Sequence, residues 1–259
     1  MDFATVAAAV EHVGDPRVTA AQGRLIYDHV RSTRPEHVLE LGTAHGVSAA
    51  FIAAALEANG RGRLTTVDSS RYPWHSPSPN ELLEGIGLGP RVSIDRSFTT
   101  YTWFLKEQIE AQSDGQGNCE PVYDFCFLDG QKNWTVDSAA VFMIEKLLRP
   151  GGWLLLDDLG WTYSPLTEGV HYGVDIGSLS ERERTEPHLR AVFDLIVAQH
   201  PAFTELRIED DWLGWARKAP GEPRRLTLST TRSLSSYVLA GMRYLKRRID
   251  VRLVPRQRR

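Results

Sequence analysis

Short apolar runs alternate along most of the chain with longer stretches in which apolar residues recur at spacings of three and four. The first pattern predicts buried β-strands, and the second predicts amphipathic helices. The predicted strands cover residues 37–41, 63–67, 91–94, 123–128 and 153–156, and the predicted helices cover 3–13, 19–33, 46–59, 79–87, 98–112, 136–148 and 187–199. Such alternation, with continuous apolar strands, is typical of a parallel sheet covered on both faces.

The pattern changes in the last part of the body. Two strand-like runs, 203–209 and 212–218, flank an acidic pair, which predicts an antiparallel hairpin. We therefore expect an α/β fold with a doubly wound, mostly parallel seven-stranded sheet and a C-terminal antiparallel hairpin, which makes it Rossmann-like. The expected organisation is a pair of N-terminal helices over residues 1–35, the sheet domain over 36–218 and a tail over 219–259.

Composition is that of an ordinary soluble protein with a sizeable core: of 259 residues, 42% are apolar and 24% are charged. A net charge of −3 is too small for a protein whose whole surface binds nucleic acid. No apolar run reaches the roughly 18 residues of a membrane helix, and the N-terminus lacks the basic region of a signal peptide. Cys119 and Cys126, the only cysteines, fit a reducing compartment. We expect a cytoplasmic protein with no membrane span and no nucleic-acid partner.

Charge is distributed unevenly between body and tail. Residues 219–259 carry a net charge of +9, which leaves residues 1–218 at −12. Within the tail, residues 234–249 place apolar side chains at helical spacing with basic side chains on the other side. A basic amphipathic helix of this kind can lie on an anionic membrane, on an acidic partner, or on its own body or a sister subunit. The acidic body favours the last possibility, and we expect a homo-oligomer, with a dimer favoured.

A glycine-containing turn (residues 40–46, ELGTAHG) follows the first predicted strand. In an open α/β sheet, ligands bind at the carboxyl ends of the strands. Ala44 stands where a dinucleotide-binding turn has its middle glycine, and no P-loop lysine follows. The turn therefore favours a cofactor without phosphate, one with adenosine, a sulfonium and an amino-acid tail. Asp68 ends the second strand, where a carboxylate can accept both hydrogen bonds of a ribose diol.

Acidic residues follow the fourth and fifth predicted strands. Asp129 and Lys132 come after one strand, and Asp157 and Asp158 come after the other. Because parallel strands end at the same edge of a sheet, the three carboxylates converge if the two strands are neighbours. Crowded, partly buried carboxylates need a cation, and oxygen ligands suit Mg²⁺ or another oxygen-preferring divalent ion. The sequence therefore predicts a metal site formed by these three carboxylates.

Two sets of residues carry a resemblance to a known family. Residues 38–48 (VLELGTAHGVS) resemble motif I of the class I S-adenosylmethionine-dependent methyltransferases. Residues 127–132 (FLDGQK) and 154–158 (LLLDD) resemble the metal-dependent O-methyltransferases of the catechol and caffeoyl-CoA type. Asp158 stands where the catechol enzymes have Asn, and an acidic pair there is similar to the enzymes that methylate sugar hydroxyls of natural products. The resemblance covers residues 19–218 and implies the Rossmann-like methyltransferase fold.

The resemblance implies roles for the matched residues. The residues expected to bind S-adenosylmethionine are Glu40, Gly42, Thr43, Gly46, Ser48, Asp68, Ser97, Phe98 and Asp129. Those of motif I would line the methionine end, Asp68 would bind the ribose, and Ser97 and Phe98 would contact the adenine. Asp129, Asp157 and Asp158 would hold the metal, and Lys132 would be the general base, which makes Asp129 and Lys132 the catalytic residues. A nearby cation should lower the pKa of Lys132.

The connection over residues 159–186 is rich in glycine and aromatic residues. Connections of this length inside compact domains are usually lids or binding loops. The residues expected to contact the substrate lie here and just after the fourth strand; they are Trp134, Trp161, Tyr163, His171 and Tyr172.

We therefore expect an S-adenosylmethionine-dependent, divalent-metal-assisted O-methyltransferase. Its acceptor would be a hydroxyl of a small molecule with neighbouring oxygens, such as a catechol or a sugar diol of a natural product. Two alternatives stay open: a metal-independent methyltransferase with Asp129 as the base, and a noncatalytic subunit that binds S-adenosylmethionine. A nicotinamide-dependent dehydrogenase is disfavoured by Ala44.

Overall fold

The structure is a computed structural model of the chain, and it describes residues 1–11, 13, 18–70, 76–96, 98–222, 225 and 227. The chain divides into two units, Met1–Arg224 and Arg225–Arg259, and every element given below belongs to the first. The predicted tail helix, residues 234–249, lies outside the described residues.

Seven strands form one twisted sheet in the order β3-β2-β1-β4-β5-β9-β8. Its strands are β1 (His37–Leu41), β2 (Arg63–Val67), β3 (Val92–Asp95), β4 (Tyr123–Leu128), β5 (Leu148–Leu156), β8 (Phe203–Glu209) and β9 (Leu213–Lys218). The first five run parallel, while β9 is antiparallel to both β5 and β8. The predicted mostly parallel, seven-stranded sheet with a C-terminal hairpin is thereby confirmed.

Helices cover both faces of this sheet. They are α1 (Phe3–Val10), α2 (Ala20–Thr33), α3 (Val47–Asn59), α4 (Pro79–Gly85), α5 (Tyr101–Gln112), α6 (Trp134–Leu147), α7 (Glu181–Thr185) and α8 (His188–Val192). Their positions follow local signals. Thr19 and Ser78 each form a capping box with the residue three positions on, and these begin α2 and α4. Gly60 ends α3 in the left-handed conformation.

Several boundaries differ from the sequence prediction; α1, for example, ends at Val10 instead of residue 13, and α5 begins at Tyr101 instead of residue 98. Helix α6 starts two residues early because the Asn133 side chain accepts from the N–H groups of Thr135 and Val136 and so caps the helix. Strand β5 begins at Leu148 instead of residue 153 and carries an irregularity in its pairing with β4. The single helix predicted over 187–199 is an α-helix followed by a π-helical turn at Phe193–Val197.

The alternation of side chains along the strands divides the interior into two hydrophobic cores, one on each face. In β1, Val38 belongs to the core that packs against α1, α2 and α3, whereas Leu39 and Leu41 belong to the core that packs against α5 and α6. Within the described part of the chain, each helix is too short or too polar to span a lipid bilayer.

The long connection after β5 has some structure of its own. Strands β6 (Val170–His171) and β7 (Val174–Asp175) form a small antiparallel hairpin. Its two turn residues, Tyr172 and Gly173, both have positive φ, which matches the twist of a tight hairpin. The connection therefore contains a small hairpin and the short helix α7, two elements that the sequence analysis did not predict.

Candidate active site

Four parallel strands end side by side at one edge of the sheet. Leu41 of β1 is paired with Leu128 of β4, which is paired with Leu156 of β5, and β2 lies on the other side of β1. The ladder continues beyond the strands, because the N–H of Asp129 donates to Leu41 at 2.9 Å and the N–H of Asp157 donates to Leu128 at 3.1 Å. The residues that follow these strands therefore meet at one edge, as the sequence predicted.

Residues 42–46, called here the glycine turn, follow β1. Gly42 has a φ of 106°, and a Cβ at this position would overlap a backbone carbonyl of the segment after β4, so the turn requires glycine. Asp68 fastens the turn: its Oδ2 accepts the N–H groups of Thr43 at 3.2 Å and Ala44 at 2.9 Å. The carboxylate predicted to bind a ribose thus holds the turn itself, and its role toward a ribose stays a prediction.

Glu40, the strand residue two positions before the glycine turn, is completely buried. Its Oε2 accepts the hydroxyl of Thr66 at 2.5 Å, and Thr66 is in turn hydrogen-bonded to Thr43 at 2.6 Å. The other carboxyl oxygen, Oε1, accepts no hydrogen bond of normal geometry from the described residues. Burial raises the pKa of Glu40 to about 8. The neighbouring hydroxyls of Ser48 and Thr66 lower this pKa, but their effect is smaller than that of burial.

The other predicted cofactor residues do not all lie in one place. Thr43, Ser48 and Asp129 line one small cavity of about 20 Å³, so residues from two turns face the same space. Gly46 precedes α3 with a φ of 86°. Phe98 is packed edge-on against Phe104 of α5, with ring centroids 6.2 Å apart. Ser97 lies outside the described residues.

Residues 129–133, called here the lysine turn, follow β4. Lys132 is only 6% exposed, and its Nζ contacts two carboxylates: Oδ1 of Asp129 at 2.8 Å and Oδ2 of Asp158. Burial of the ammonium lowers the pKa of Lys132, but the negative charges of Asp129 and Asp158 outweigh burial, so the pKa lies above its ordinary value. The lowered pKa predicted for Lys132 depended on a metal ion bound beside it, and it stays a prediction for that state.

Asp157 lies next to this ion-pair cluster but makes different contacts. It is 2% exposed, and its Oδ1 accepts the N–H of Asp158 at 2.7 Å and the side-chain amide of Gln22 at 3.4 Å. Burial, together with the charges of Asp129 and Asp158, raises the pKa of Asp157 well above its usual range. The charge of Lys132 relieves part of the repulsion among the three carboxylates.

The predicted three-carboxylate metal site is not assembled in this arrangement. Among the described residues, no three His, Cys, Asp or Glu side chains are placed to hold one ion. The physical reason is the position of Lys132, whose ammonium lies between Asp129 and Asp158 and takes the contacts that a cation would need.

Two residues that the sequence did not single out hold the lysine turn. Asp137 of α6 accepts the hydroxyl of Tyr101, and its Oδ2 accepts the N–H of Asn133 at 2.6 Å. The Tyr101 hydroxyl accepts the N–H of Gln131 at 3.1 Å. An available signal was the acidic residue on the apolar face of a predicted helix, since Asp137 is followed at helical spacing by buried Val141.

Three of the five predicted substrate residues surround the lysine turn. The ring of Trp161 lies 4.6 Å from that of Tyr163 and 5.3 Å from that of Tyr172. Tyr172 places its ring 5.4 Å from the Lys132 ammonium, and the Tyr163 hydroxyl donates to the carbonyl of Gln131 at 3.3 Å. These contacts build an aromatic wall beside Lys132.

The other two predicted substrate residues make separate contacts. His171 bonds through its ring to the carbonyl of Glu168 at 3.0 Å. Trp134 begins α6 with its side chain 38% exposed, while its backbone N–H donates to the ring of His188 at 3.2 Å.

Comparison with known proteins finds methyltransferases that are similar to this chain. Residues 39–159 match a family model described as a methyltransferase domain. A curated protein of Mycobacterium sp. (strain JLS), named "Putative O-methyltransferase", is 31% identical over 157 residues, which are 58% of this chain and 61% of that protein. The match thus spans about three fifths of the relative's length.

Solved structures share the fold at low sequence identity. The O-methyltransferase from Bacillus cereus, in complex with SAH, is 22% identical with a TM-score of 0.56, and the match covers 83% of this chain and 90% of that chain. TomG from Streptomyces achromogenes, an O-methyltransferase involved in tomaymycin synthesis and solved with SAM, is 20% identical with a TM-score of 0.56, covering 84% and 89%. The matched family model and the relative support the resemblance seen in the sequence, and the solved structures show that this chain shares their fold.

Proposed function

We propose that this protein is an S-adenosylmethionine-dependent O-methyltransferase that acts on a hydroxyl group of a small molecule. The observation that carries the proposal is the Lys132 ammonium, held between Asp129 and Asp158 at the edge that also carries the glycine turn. Perturbed, buried charges at the ligand-binding edge of an open α/β sheet are typical of an active site. The glycine turn, the lysine turn and the acidic pair all lie within the matched methyltransferase domain.

The residues at the glycine turn fit the methionine end of the cofactor. Among the described residues, the buried Oε1 of Glu40 has no hydrogen-bond partner of normal geometry, and a ligand group that donates a hydrogen bond, such as an amino group, would satisfy it. Close backbone approach at Gly42 leaves no room for a side chain there. When bound, S-adenosylmethionine supplies a methyl group already activated on a positively charged sulfur. The protein's own contribution is then to align and deprotonate the acceptor.

Methyl transfer forms a bond between the acceptor oxygen and the methyl carbon and breaks the bond between that carbon and sulfur, while the hydroxyl proton leaves. Lys132, held as an ammonium, donates a hydrogen bond to the acceptor oxygen and stabilises the negative charge that develops on it. Asp129, whose carboxylate lies 2.8 Å from that ammonium, takes the proton as a general base. This assignment follows the metal-independent alternative, with Lys132 as an electrostatic group in place of a base.

A second candidate is the metal-assisted reaction. It is favoured by the convergence of Asp129, Asp157 and Asp158, whose oxygens are ligands that Mg²⁺ prefers. As arranged, however, this donor set does not fit an ion, because Lys132 lies between two of the carboxylates and the third accepts the N–H of Asp158. Metal binding requires that the Lys132 ammonium leave this position.

A methyl-transfer assay separates these candidates. Labelled S-adenosylmethionine is offered with catechols, flavonoids and glycosides, once with EDTA and once with Mg²⁺. Turnover that persists in EDTA supports the lysine–aspartate chemistry, and turnover that EDTA removes and Mg²⁺ restores supports the metal-assisted reaction. Binding of S-adenosylmethionine in calorimetry without transfer to any acceptor favours the noncatalytic subunit, and absence of binding contradicts the proposal.

We expect the acceptor to be a hydroxylated small molecule that packs on the aromatic wall, in which Tyr172 contacts both Trp161 and the Lys132 ammonium. A wall of this kind suits a flat ring or the apolar face of a sugar. The homo-oligomeric state and the cytoplasmic location stay predictions, and sedimentation analysis of the full chain checks the first of them.

A further inference from the structure

The lysine turn contains a backbone conformation that must be held from outside. Lys132 has a φ of 55°, in the left-handed region that residues other than glycine rarely adopt. Such a conformation is unfavourable by about 1–3 kcal/mol and persists only where the surroundings fix it. Because the ammonium that contacts Asp129 and Asp158 depends on this conformation, whatever fixes the turn also fixes the cluster.

Tyr101 and Asp137, which are hydrogen-bonded to each other, hold the turn in this conformation. Tyr101, from the start of α5, donates its hydroxyl to Asp137 of α6 and accepts the N–H of Gln131 at 3.1 Å. Asp137 also accepts the N–H of Asn133 at 2.6 Å. The two residues that flank Lys132 are therefore both fastened, one to each member of the pair.

The ring of Tyr101 acts on the same turn through packing. Gly130 lies so close to this ring that a Cβ at position 130 would overlap it. Tyr101 is 4% exposed and Asp137 is 0% exposed, so water does not compete for these hydrogen bonds. A buried carboxyl–phenol pair adds little stability over well-packed apolar residues of similar size. Its effect is on the geometry of the turn.

We propose that Tyr101 and Asp137 are positioning residues, which act through the lysine turn to hold the Lys132 ammonium between Asp129 and Asp158 at the acceptor-binding edge. The inference rests on the proposed methyltransferase function for its kinetic consequence. It also makes a structural claim that does not depend on activity, namely that the amides of Gln131 and Asn133 are protected by this pair.

The kinetic test uses Tyr101→Phe, which keeps the ring against Gly130 and removes only the hydroxyl. We expect kcat to fall about 10- to 100-fold, since small displacements of a group that contacts the reacting atoms have effects of this size. The affinity for S-adenosylmethionine should change less than about twofold. Asp137→Asn keeps a carbonyl that can accept the N–H of Asn133, so it should retain more activity than Tyr101→Phe. Equal loss of kcat and of cofactor affinity would overturn the inference.

The matched control is Tyr27→Phe. Tyr27 is also a buried tyrosine whose hydroxyl makes one hydrogen bond, to the carbonyl of Met1 at 3.0 Å, but it lies in α2, outside the lysine turn. Its variant should keep the wild-type kcat. If both tyrosine variants lose activity alike, a general loss of packing explains the effect, and the positioning role is wrong.

A double variant covers the case in which Tyr101→Phe does not fold, because that change leaves a buried carboxylate without its phenol partner. Tyr101→Phe combined with Asp137→Leu removes both polar groups and leaves an apolar pair of similar size. We expect it to fold with a cooperative thermal transition and to show the same loss of kcat. Full activity in the folded double variant would contradict the inference.

Hydrogen exchange measured by NMR keeps the inference separate from the proposed function. In Tyr101→Phe and in the double variant, the amides of Gln131 and Asn133 should exchange at least about 10-fold faster than in wild type, and in Tyr27→Phe they should not. If the wild-type protein transfers no methyl group, the proposed function fails while this structural claim stands or falls on exchange alone. Unchanged exchange at both amides would overturn the inference regardless of activity.

Discussion

The glycine turn and the lysine turn leave the same edge of the sheet, after the adjacent strands β1 and β4, and a carboxylate holds each of them in a different way. In the glycine turn, the half-buried Asp68 accepts two consecutive backbone N–H groups directly. In the lysine turn, the fully buried Asp137 accepts one N–H and reaches the other through the hydroxyl of Tyr101. The contacts of the glycine turn join two neighbouring loops, whereas those of the lysine turn reach buried residues of α5 and α6.

This difference follows from what each turn has to present. The glycine turn presents backbone, and glycine at position 42 adopts a φ of 106° without steric conflict. The lysine turn presents a charged side chain, so the residue in the left-handed conformation must be Lys132 itself, with its steric penalty. Ala44 of the glycine turn also has a positive φ, of 44°, and its N–H is held directly by Asp68. The comparison predicts that damage to the lysine turn affects the chemical step and damage to the glycine turn affects cofactor binding.

The largest effect is expected for Lys132→Ala. Loss of the ammonium should lower kcat by about 10²–10⁴-fold, the range for removal of a group that stabilises charge or moves a proton in the transition state. Affinity for S-adenosylmethionine should stay within a few-fold, as measured by calorimetry. The control is Lys106→Ala, which removes a lysine from an exposed pair with Glu110 on α5. A loss of cofactor affinity equal to the loss of kcat would contradict the assignment of the chemical step to the lysine turn and of cofactor binding to the glycine turn.

The next effect concerns the pH dependence of stability. Burial raises the pKa of Asp137 to about 6, from 3.8. A carboxyl group with a raised pKa contributes stability that is fully present below pH 3.8 and is lost as pH rises through 6, an effect of about 3 kcal/mol for a shift of roughly two units. Asp137→Asn removes this titration, so the difference in unfolding free energy between variant and wild type should increase, in favour of the variant, from pH 4 to pH 7.

Urea unfolding at several pH values between 4 and 7 measures that difference. The exposed Glu205→Gln, which removes one partner of a surface ion pair with Arg217, serves as the control, since a pair of this kind contributes about 0–1 kcal/mol. A constant offset between Asp137→Asn and wild type across the range would show that Asp137 does not titrate there.

A smaller effect is expected for Asp68→Ala. The change leaves the amides of Thr43 and Ala44 without their carboxylate, and a hydrogen bond to a charged group is worth about 1.5–3 kcal/mol. We expect affinity for S-adenosylmethionine to weaken about 10-fold while kcat at saturating cofactor changes less than about threefold. Asp28→Ala, in an exposed pair with Arg24, is the control. A fall in kcat with unchanged affinity would reverse the assignment of the two turns.

The smallest effect is expected for a change in helix α2, which contacts Asp157 next to the lysine turn. Gln22 donates to Asp157 at 3.4 Å while its oxygen completes the capping box with Thr19. Gln22→Glu keeps the cap acceptor and removes the donor, so we expect a loss of about 1 kcal/mol in unfolding free energy at pH 7. Chemical denaturation checks this value, and Gln22→Ala separates the cap from the contact with Asp157. Equal stability of wild type and Gln22→Glu would show that the long contact carries no energy.

Much of the fold was contained in local pattern. Strands β1, β2 and β4 have the bounds predicted from their apolar runs, and the C-terminal hairpin lies where the flanking runs of 203–209 and 212–218 placed it. The glycine-containing turn lies at the carboxyl end of the first strand, as the sequence predicted, and Gly42 there lies against a backbone carbonyl. These features were accessible because periodicity, turn residues and strand ends are properties of short segments, and because parallel strands must end at a common edge.

The contacts that define the site were decided by the tertiary structure. Tyr101 and Asp137 are 36 residues apart and meet only because α5 and α6 pack together, and Gln22 reaches Asp157 across 135 residues. The same holds for the pKa of Lys132, which lies above its ordinary value because Asp129 and Asp158, 3 and 26 residues away, contact its ammonium. A pKa depends on burial and on every charge within a few ångströms. Those quantities exist only once the strands have neighbours and the side chains have been removed from water.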